Sequence, residues 1–253
     1  MATAKESRKY DVVLYGASGF VGRQTVAYFA RHLQVKALGL KWAIAGRSAD
    51  KLEAVRKDCG APKVGVLVAE AHDTRAMDAL ARSSAVVLST AGPFALYGSE
   101  LVAACVRNGT HYVDITGETP WVKGLIDRHH GEAQRKGARI IPFCGFDSIP
   151  SDLSAHLANA AMRERYGEVC TAVKVAFSIR GGFNGGTLAS LFNMLASGQS
   201  EAMADPFLLN PEGMRPANAA AHADPLGPRH DADFSAWLGP FMMSTINTRV
   251  VRR

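Results

Sequence analysis

Gly16, Gly19 and Gly22 follow directly on the apolar run Val12 to Tyr15, and a helical pattern runs on from them through His32. That order suits a phosphate. A strand delivers the chain, glycines let the backbone approach closely, and the next helix turns its unpaired N–H groups toward the anion. The expected cradle is Gly16, Ser18, Gly19, Phe20, Val21 and Gly22. The spacing is G-x-x-G-x-x-G, looser than G-x-G-x-x-G, and a ligand-free strand-to-helix turn would use the same glycines. Placement in the first strand–helix unit of an alternating chain favours a dinucleotide.

The next chemistry-bearing residues close the second strand, Lys41 to Ala45, in Gly46-Arg47-Ser48. A site that holds an unmodified ribose usually puts Asp or Glu here for the 2′-hydroxyl. None occurs from Gly39 to Ala49. Arg47 offers a permanently charged fork and Ser48 a hydroxyl, both suited to a 2′-phosphate. The expected cofactor is therefore NADP(H); a solvated Arg near a helix start is the alternative. Further along, Ala91, Gly92, Pro93 and Phe94 follow the fourth strand, on the rim where open parallel sheets hold ligands. A well-packed turn with Phe94 in the core would read the same way.

Three further segments carry polar candidates. Asp114, Thr116 and Glu118 follow the fifth strand, where two carboxylates four residues apart invite acid–base chemistry that an exposed turn does not need. Cys144 to Asp152 follows the sixth strand at the expected domain junction, so Asp147 and Ser148 are candidates to orient a carboxamide or substrate, with Ser151 or Asp152 capping the next helix. Cys144 reads as a small buried residue. His129 falls in line with Val122, Ile126 and Ala133 on one helical face, the pattern of a covered structural histidine. No His/Asp/Glu spacing suggests a metal. The catalytic group stays unidentified, with Asp147, Ser148 and Asp114 as its weak candidates.

These residues need elements to position them. Asp50 to Asp58 reads as a helix, Val64 to Val68 as a buried strand, Thr74 to Ala81 as a helix and Ala85 to Thr90 as the fourth strand. Helix Ser99 to Asn108, strand His111 to Ile115, a helix begun by Thr119-Pro120 that runs to Lys136, and strand Ile140 to Phe143 complete the alternation. Strands alternating with helices make an α/β fold, a Rossmann-type doubly wound parallel sheet. From Ser151 the rhythm changes: a helix to Tyr166, an alternating strand Thr171 to Arg180, a glycine turn Gly181 to Gly186 and a helix Thr187 to Gln199. Ala204 to Pro240 lacks periodicity and reads as a long irregular excursion, and Phe241 to Arg253 as a helix. The expected domains are 1–150, for the nucleotide, and 151–253, a partial, incomplete α+β domain for substrate or oligomerisation.

Composition, with 47% hydrophobic and 21% charged residues, is that of a globular protein, and no run of 18 apolar residues offers a membrane span. The formal charge is +6 with Lys and Arg scattered, so no nucleic-acid motif stands behind it. Four widely spaced cysteines suggest reduced thiols, and the polar N-terminus lacks an apolar signal core; both point to a cytoplasmic protein. Peripheral contact with a membrane surface and a homodimer stay open.

Taken in order, the glycine turn, Gly46-Arg47-Ser48, Ala91-Gly92-Pro93-Phe94 with Tyr97-Gly98, Tyr112 to Glu118, and Cys144 to Asp152 resemble the saccharopine dehydrogenase-like oxidoreductases, and within them the trans-acting enoyl reductase branch. The resemblance extends from Tyr10 to Arg253. It implies that Ala91 to Phe94 line the ribose and nicotinamide. It also implies an NADP(H)-dependent reduction of an activated C=C bond in a lipid-linked or polyketide-like acyl intermediate. Family members are much longer than 253 residues, so the chain is expected to be a fragment or a shortened relative. Two other classes remain: a saccharopine-type imine or amino-acid dehydrogenase, and a non-catalytic, lipid-associated nucleotide-binding scaffold.

Overall fold

A computed structural model describes residues 8–178, 180–182, 185–196, 198 and 200–253. The chain divides into two compact units: the described residues up to Thr116 with Gly124–Pro142, and Gly117–Lys123 with Phe143–Arg253.

The first unit is a six-stranded sheet of β1 (Tyr10–Tyr15), β2 (Trp42–Gly46), β3 (Gly65–Val68), β4 (Ser84–Ser89), β5 (His111–Asp114) and β6 (Ile140–Ile141). Its order is β3-β2-β1-β4-β5-β6, and every pairing is parallel. The connecting helices are α1 (Phe20–Arg31), α2 (Leu33–Ala37), α3 (Ala49–Asp58), α4 (Thr74–Ser83), α5 (Phe94–Tyr97), α6 (Ser99–Arg107) and, from Gly124 on, α7 (Thr119–Lys136). Crossovers that feed outward from β1 on one side and from β4 on the other leave a crevice between their carboxyl ends. Register sets that rim, with Tyr15 opposite both Ala45 and Ser89.

Burial explains the apolar runs of the central strands, but β3, expected to be buried, lies at the sheet edge with none of its residues buried and Val68 57% exposed. Leu14 and Ile44 pack with Val26 of α1 and with Leu52 and Val55 of α3. Met77 and Leu80 of α4, and Leu101, Val102, Cys105 and Val106 of α6, are also buried. At roughly 1.5–3 kcal/mol per buried large aliphatic side chain, these runs supply the main force that closes the unit. Asp73 caps α4 by accepting from the Arg75 and Ala76 amides at 2.9 and 3.0 Å.

The second unit contains α8 (Ile149–Tyr166), α9 (Gly185–Ala196), α10 (Ser200–Ala204), the antiparallel hairpin β7 (Arg229–Asp231) and β8 (Ala236–Leu238), and α11 (Ser244–Arg252). Fully buried Arg249 anchors α11. It pairs with Asp224 at 2.6 Å and donates to the Met203 and Asp205 carbonyls at 2.9 and 3.1 Å. Its many hydrogen bonds offset the cost of burying a guanidinium.

Several expectations change here. Thr171 to Arg180 forms no strand among its described residues; Ile179 lies outside them. No described strand offers it a ladder, and Val173, Val175 and Phe177 are each about two-fifths exposed. The segment is held by side chains instead. Lys174 reaches Asp231 at 3.0 Å, and Phe177 stacks on Phe241 at 4.6 Å. The 204–240 excursion is more ordered than its composition suggests, because it contains the β7–β8 hairpin. The last helix starts at Ser244 rather than Phe241. The glycine turn and the end of the following helix fall partly outside the described residues, at 183–184, 197 and 199. Helix α7 takes Thr119 into its first turn, the Glu118 carbonyl accepting from the Val122 amide at 3.1 Å. Ser148, rather than Ser151 or Asp152, stands at the cap position of α8, without a side-chain cap bond.

Candidate cofactor site

Gly16 leaves β1 with φ +82°, a conformation that side chains rarely adopt, and an added Cβ would lie 2.8 Å from the Ala91 amide nitrogen. The Gly19 amide closes the turn on the Gly16 carbonyl at 3.0 Å. Gly22 lies on the first turn of α1, where a Cβ would collide with that same carbonyl and stand 2.8 Å from the Ala17 Cα. Glycine at 22 therefore lets the helix seat against the strand. Gly19 is the cap of α1 with no side-chain bond, so the first-turn amides of Phe20, Val21 and Gly22 have no acceptor from within the helix. Glycine at 16 and 22 lets the turn pack this tightly on Ala91 and Ala17, and the free first-turn amides it presents suit a pyrophosphate. Ser18 is half-buried beside it, and its carbonyl accepts from Arg23 Nε at 3.4 Å.

Arg47 is exposed just past β2, and no hydrogen bond or ion pair engages it among the described residues. Its charge is felt by Tyr15, whose phenol burial and Glu70 push up to about 12, with Arg47 opposing. Tyr15 thus keeps its proton and donates to the Ala69 carbonyl at 3.4 Å. Ser48 caps α3, its Oγ accepting from the Lys51 amide at 3.5 Å. The hydroxyl proton stays available for a phosphate oxygen.

Across the crevice, Thr90 locks the glycine turn: its amide reaches the Tyr15 carbonyl at 2.9 Å, and its Oγ1 donates to the Tyr15 and Gly16 carbonyls at 3.2 and 3.3 Å. The sequence signalled Thr90 only as the end of a strand. Ala91 abuts Gly16, and Gly92–Pro93 is cis. Phe94 is only 5% exposed, so its ring belongs to the interior and the rim is formed by the residues before it.

Asp114 is buried, with both carboxylate oxygens engaged: Oδ2 accepts from the Tyr112 phenol at 2.9 Å and Oδ1 from the Thr116 amide at 3.0 Å. Burial, then Asp114, pushes the Tyr112 phenol well up. Within the second unit, Glu118 accepts from Ser190 Oγ at 2.8 Å. Ser148 is buried and donates to Asn247 Oδ1 at 2.9 Å, while Asn247 Nδ2 donates to the Asp147 carbonyl and to Ser151 Oγ at 2.7 and 3.0 Å. The Asp147 side chain is open to solvent on one side, yet packing around the loop pushes its carboxyl above the usual range. Phe143, which opens this loop, has φ +62°, uncommon for an aromatic residue. Burial and Arg128 lower His129, as for a partly covered histidine. Among the described residues no group of three His, Cys, Asp or Glu is placed to hold a metal, and no helix is long and apolar enough to cross a membrane.

The family model of the saccharopine dehydrogenase NADP-binding domain matches residues 12–141, from within β1 to the end of β6. The chain belongs to that family. Its NADP-binding domain is thus the unit that carries the glycine turn, Arg47 and the Ala91–Pro93 rim. A Mycobacterium tuberculosis protein provisionally named trans-acting enoyl reductase is 38% identical over 97% of the chain and 61% of its own length. A Mycobacterium leprae protein named trans-acting enoyl reductase is 40% identical over 98% of the chain and 62% of its own length. The chain therefore spans about three fifths of the curated relatives it matches. Saccharopine dehydrogenase (L-Glu forming) from Saccharomyces cerevisiae aligns at TM-score 0.49 and 21% identity, over 61% of this chain and 32% of that one.

Proposed function

We propose that the protein is an NADPH-dependent reductase of an activated C=C bond in an acyl substrate, of the lipid-linked or polyketide type. The observation that carries the reading is similarity to trans-acting enoyl reductases along nearly the whole chain. Within the NADP-binding domain, the free first-turn amides of α1 behind the tight glycine turn and the unengaged guanidinium of Arg47 fit NADP(H). When bound, the cofactor supplies a hydride to the β-carbon of the enoyl group. The protein's part is to orient the acyl group, stabilise the enolate charge that develops, and deliver a proton to the α-carbon.

Asp147 suits that last task best among the candidates. Its carboxyl has solvent access and a raised affinity for protons, whereas Asp114 and Ser148 are committed to buried hydrogen bonds. In this reading the backbone of Gly16 to Gly22 holds the pyrophosphate, Arg47 and Ser48 the 2′-phosphate, and Ala91 to Pro93 the ribose and nicotinamide. The test is NADPH oxidation with a panel of α,β-unsaturated acyl thioesters and cyclic imines, using NADPH deuterated at C4. Enoyl-dependent oxidation that places deuterium on the β-carbon is the expected result. Oxidation with imines alone would make it a dehydrogenase of the other branch, and NADPH binding without any turnover would make it a binding protein.

A further inference from the structure

The first unit has a strongly one-signed surface segment. From Val12 to Ala49 there is no Asp or Glu, while Arg23, Arg31, Lys36, Lys41 and Arg47 all fall within it. Arg23 is tied to Asp58 at 3.5 Å, and Arg47 lies at the carboxyl rim of the sheet. The other three, Arg31, Lys36 and Lys41, are exposed, and no ion pair neutralises them among the described residues. They surround the corner where α1 ends, α2 intervenes and the chain returns to β2. Asp11 is the acid that the flanking strand brings here, and its Oδ2 accepts from the Lys41 amide at 2.8 Å.

The same corner presents apolar side chains outward. Leu33 is 80% and Leu38 73% exposed, on either side of the five-residue helix α2, and Tyr28 on the last turns of α1 is exposed and stacks on His32 at 4.6 Å. Within α2 only Val35 is partly covered. Leu33 and Leu38 are therefore spared from the core by the fold itself. Exposed leucines interspersed along the chain with exposed, unpaired cations and no acid match an anionic lipid surface, where the leucines enter the acyl boundary and Lys and Arg meet the headgroups.

We propose that the α1–α2 corner docks the protein peripherally on anionic membranes. The corner lies at the opposite end of α1 from the glycine turn, about 18 Å away at 1.5 Å per residue. NADPH binding thus serves as an independent check on folding. The experiment is co-sedimentation of the whole chain with phosphatidylcholine vesicles, with and without phosphatidylglycerol. At low salt, partitioning is expected to be at least tenfold higher on the anionic vesicles and to fall as salt rises. The double substitution Leu33→Ser with Leu38→Ser is expected to lower it at least tenfold, and Lys36→Glu with Lys41→Glu to abolish the anionic preference, both with unchanged NADPH affinity. Equal partitioning on the two vesicle types, no partitioning, or partitioning that either double substitution leaves intact would overturn the proposal. Sedimentation equilibrium supplies the remaining arm: self-association lost in the leucine variant would make the corner an interface between copies instead.

Discussion

At the residue scale, the proposed 2′-phosphate contact of Arg47 is supported by the end of β2, which offers no carboxylate to hold a free ribose hydroxyl. A hydrogen bond to a charged group contributes roughly 1.5–3 kcal/mol, or about ten- to a hundredfold in affinity. Arg47→Glu is therefore expected to weaken NADPH by at least that factor and to narrow or reverse the preference over NADH, read by parallel titrations. Asp147 yields a prediction with a definite sign. Its folded-state pKa is raised by burial, so between the ordinary carboxylate value and the folded value the native chain holds a proton that the unfolded chain has lost. Stability relative to Asp147→Asn should fall as pH rises through that window and level off above it, and urea titrations across pH would check this. A difference that grew on acidification would contradict the assignment. Arg47 could be singled out from residue type and strand position alone. The commitments of Ser148 and Asp114 could not, since Asn247 lies 99 positions from Ser148 and burial is invisible in a string of letters.

At the element scale, the β1-to-α1 turn works because three backbone facts coincide: the positive φ of Gly16, its closeness to Ala91 and the absent Cβ of Gly22. Gly22→Ala is expected to lose NADPH binding together with stability, since the added methyl collides with the Gly16 carbonyl. Gly19 meets only that carbonyl, at 3.3 Å, so Gly19→Ala should be milder in both readouts, measured by titration and thermal unfolding. In the second unit α11 is fastened to the start of α8 by Asn247, which touches Ser148, Ser151 and the Asp147 carbonyl. Asn247→Ala leaves buried polar groups unpaired, each at a cost of about 1–3 kcal/mol. Its urea midpoint should drop with an unchanged slope, whereas a changed slope would mean that the native or denatured state had changed in compactness. The alternating helices and strands were legible from their apolar runs, although the run at β3 did not reveal that its strand would lie half-exposed at the sheet edge. Thr171 to Arg180 was not: alternation reports a half-covered surface, and a strand also needs a neighbour to hydrogen-bond.

At the scale of the whole molecule, NADPH at a hundred times its Kd should stabilise the native state by about 2.7 kcal/mol, and NADH at the same concentration by much less. Equal shifts in thermal unfolding would remove the 2′-phosphate from the argument. The α/β class, the order of the first unit's elements, the glycine turn and the cation at the end of β2 were determined by the sequence itself, because each depends on local periodicity or on residue type at a strand end. Only the tertiary structure decided that Thr90 locks the turn, that Phe94 belongs to the core and that the region after Ala204 forms a hairpin. It likewise decided that Leu33 and Leu38 face outward among unpaired cations. The physical reason is common to all four. A residue's own chemistry travels with the chain, whereas what covers it or bonds to it is set by segments far away in sequence.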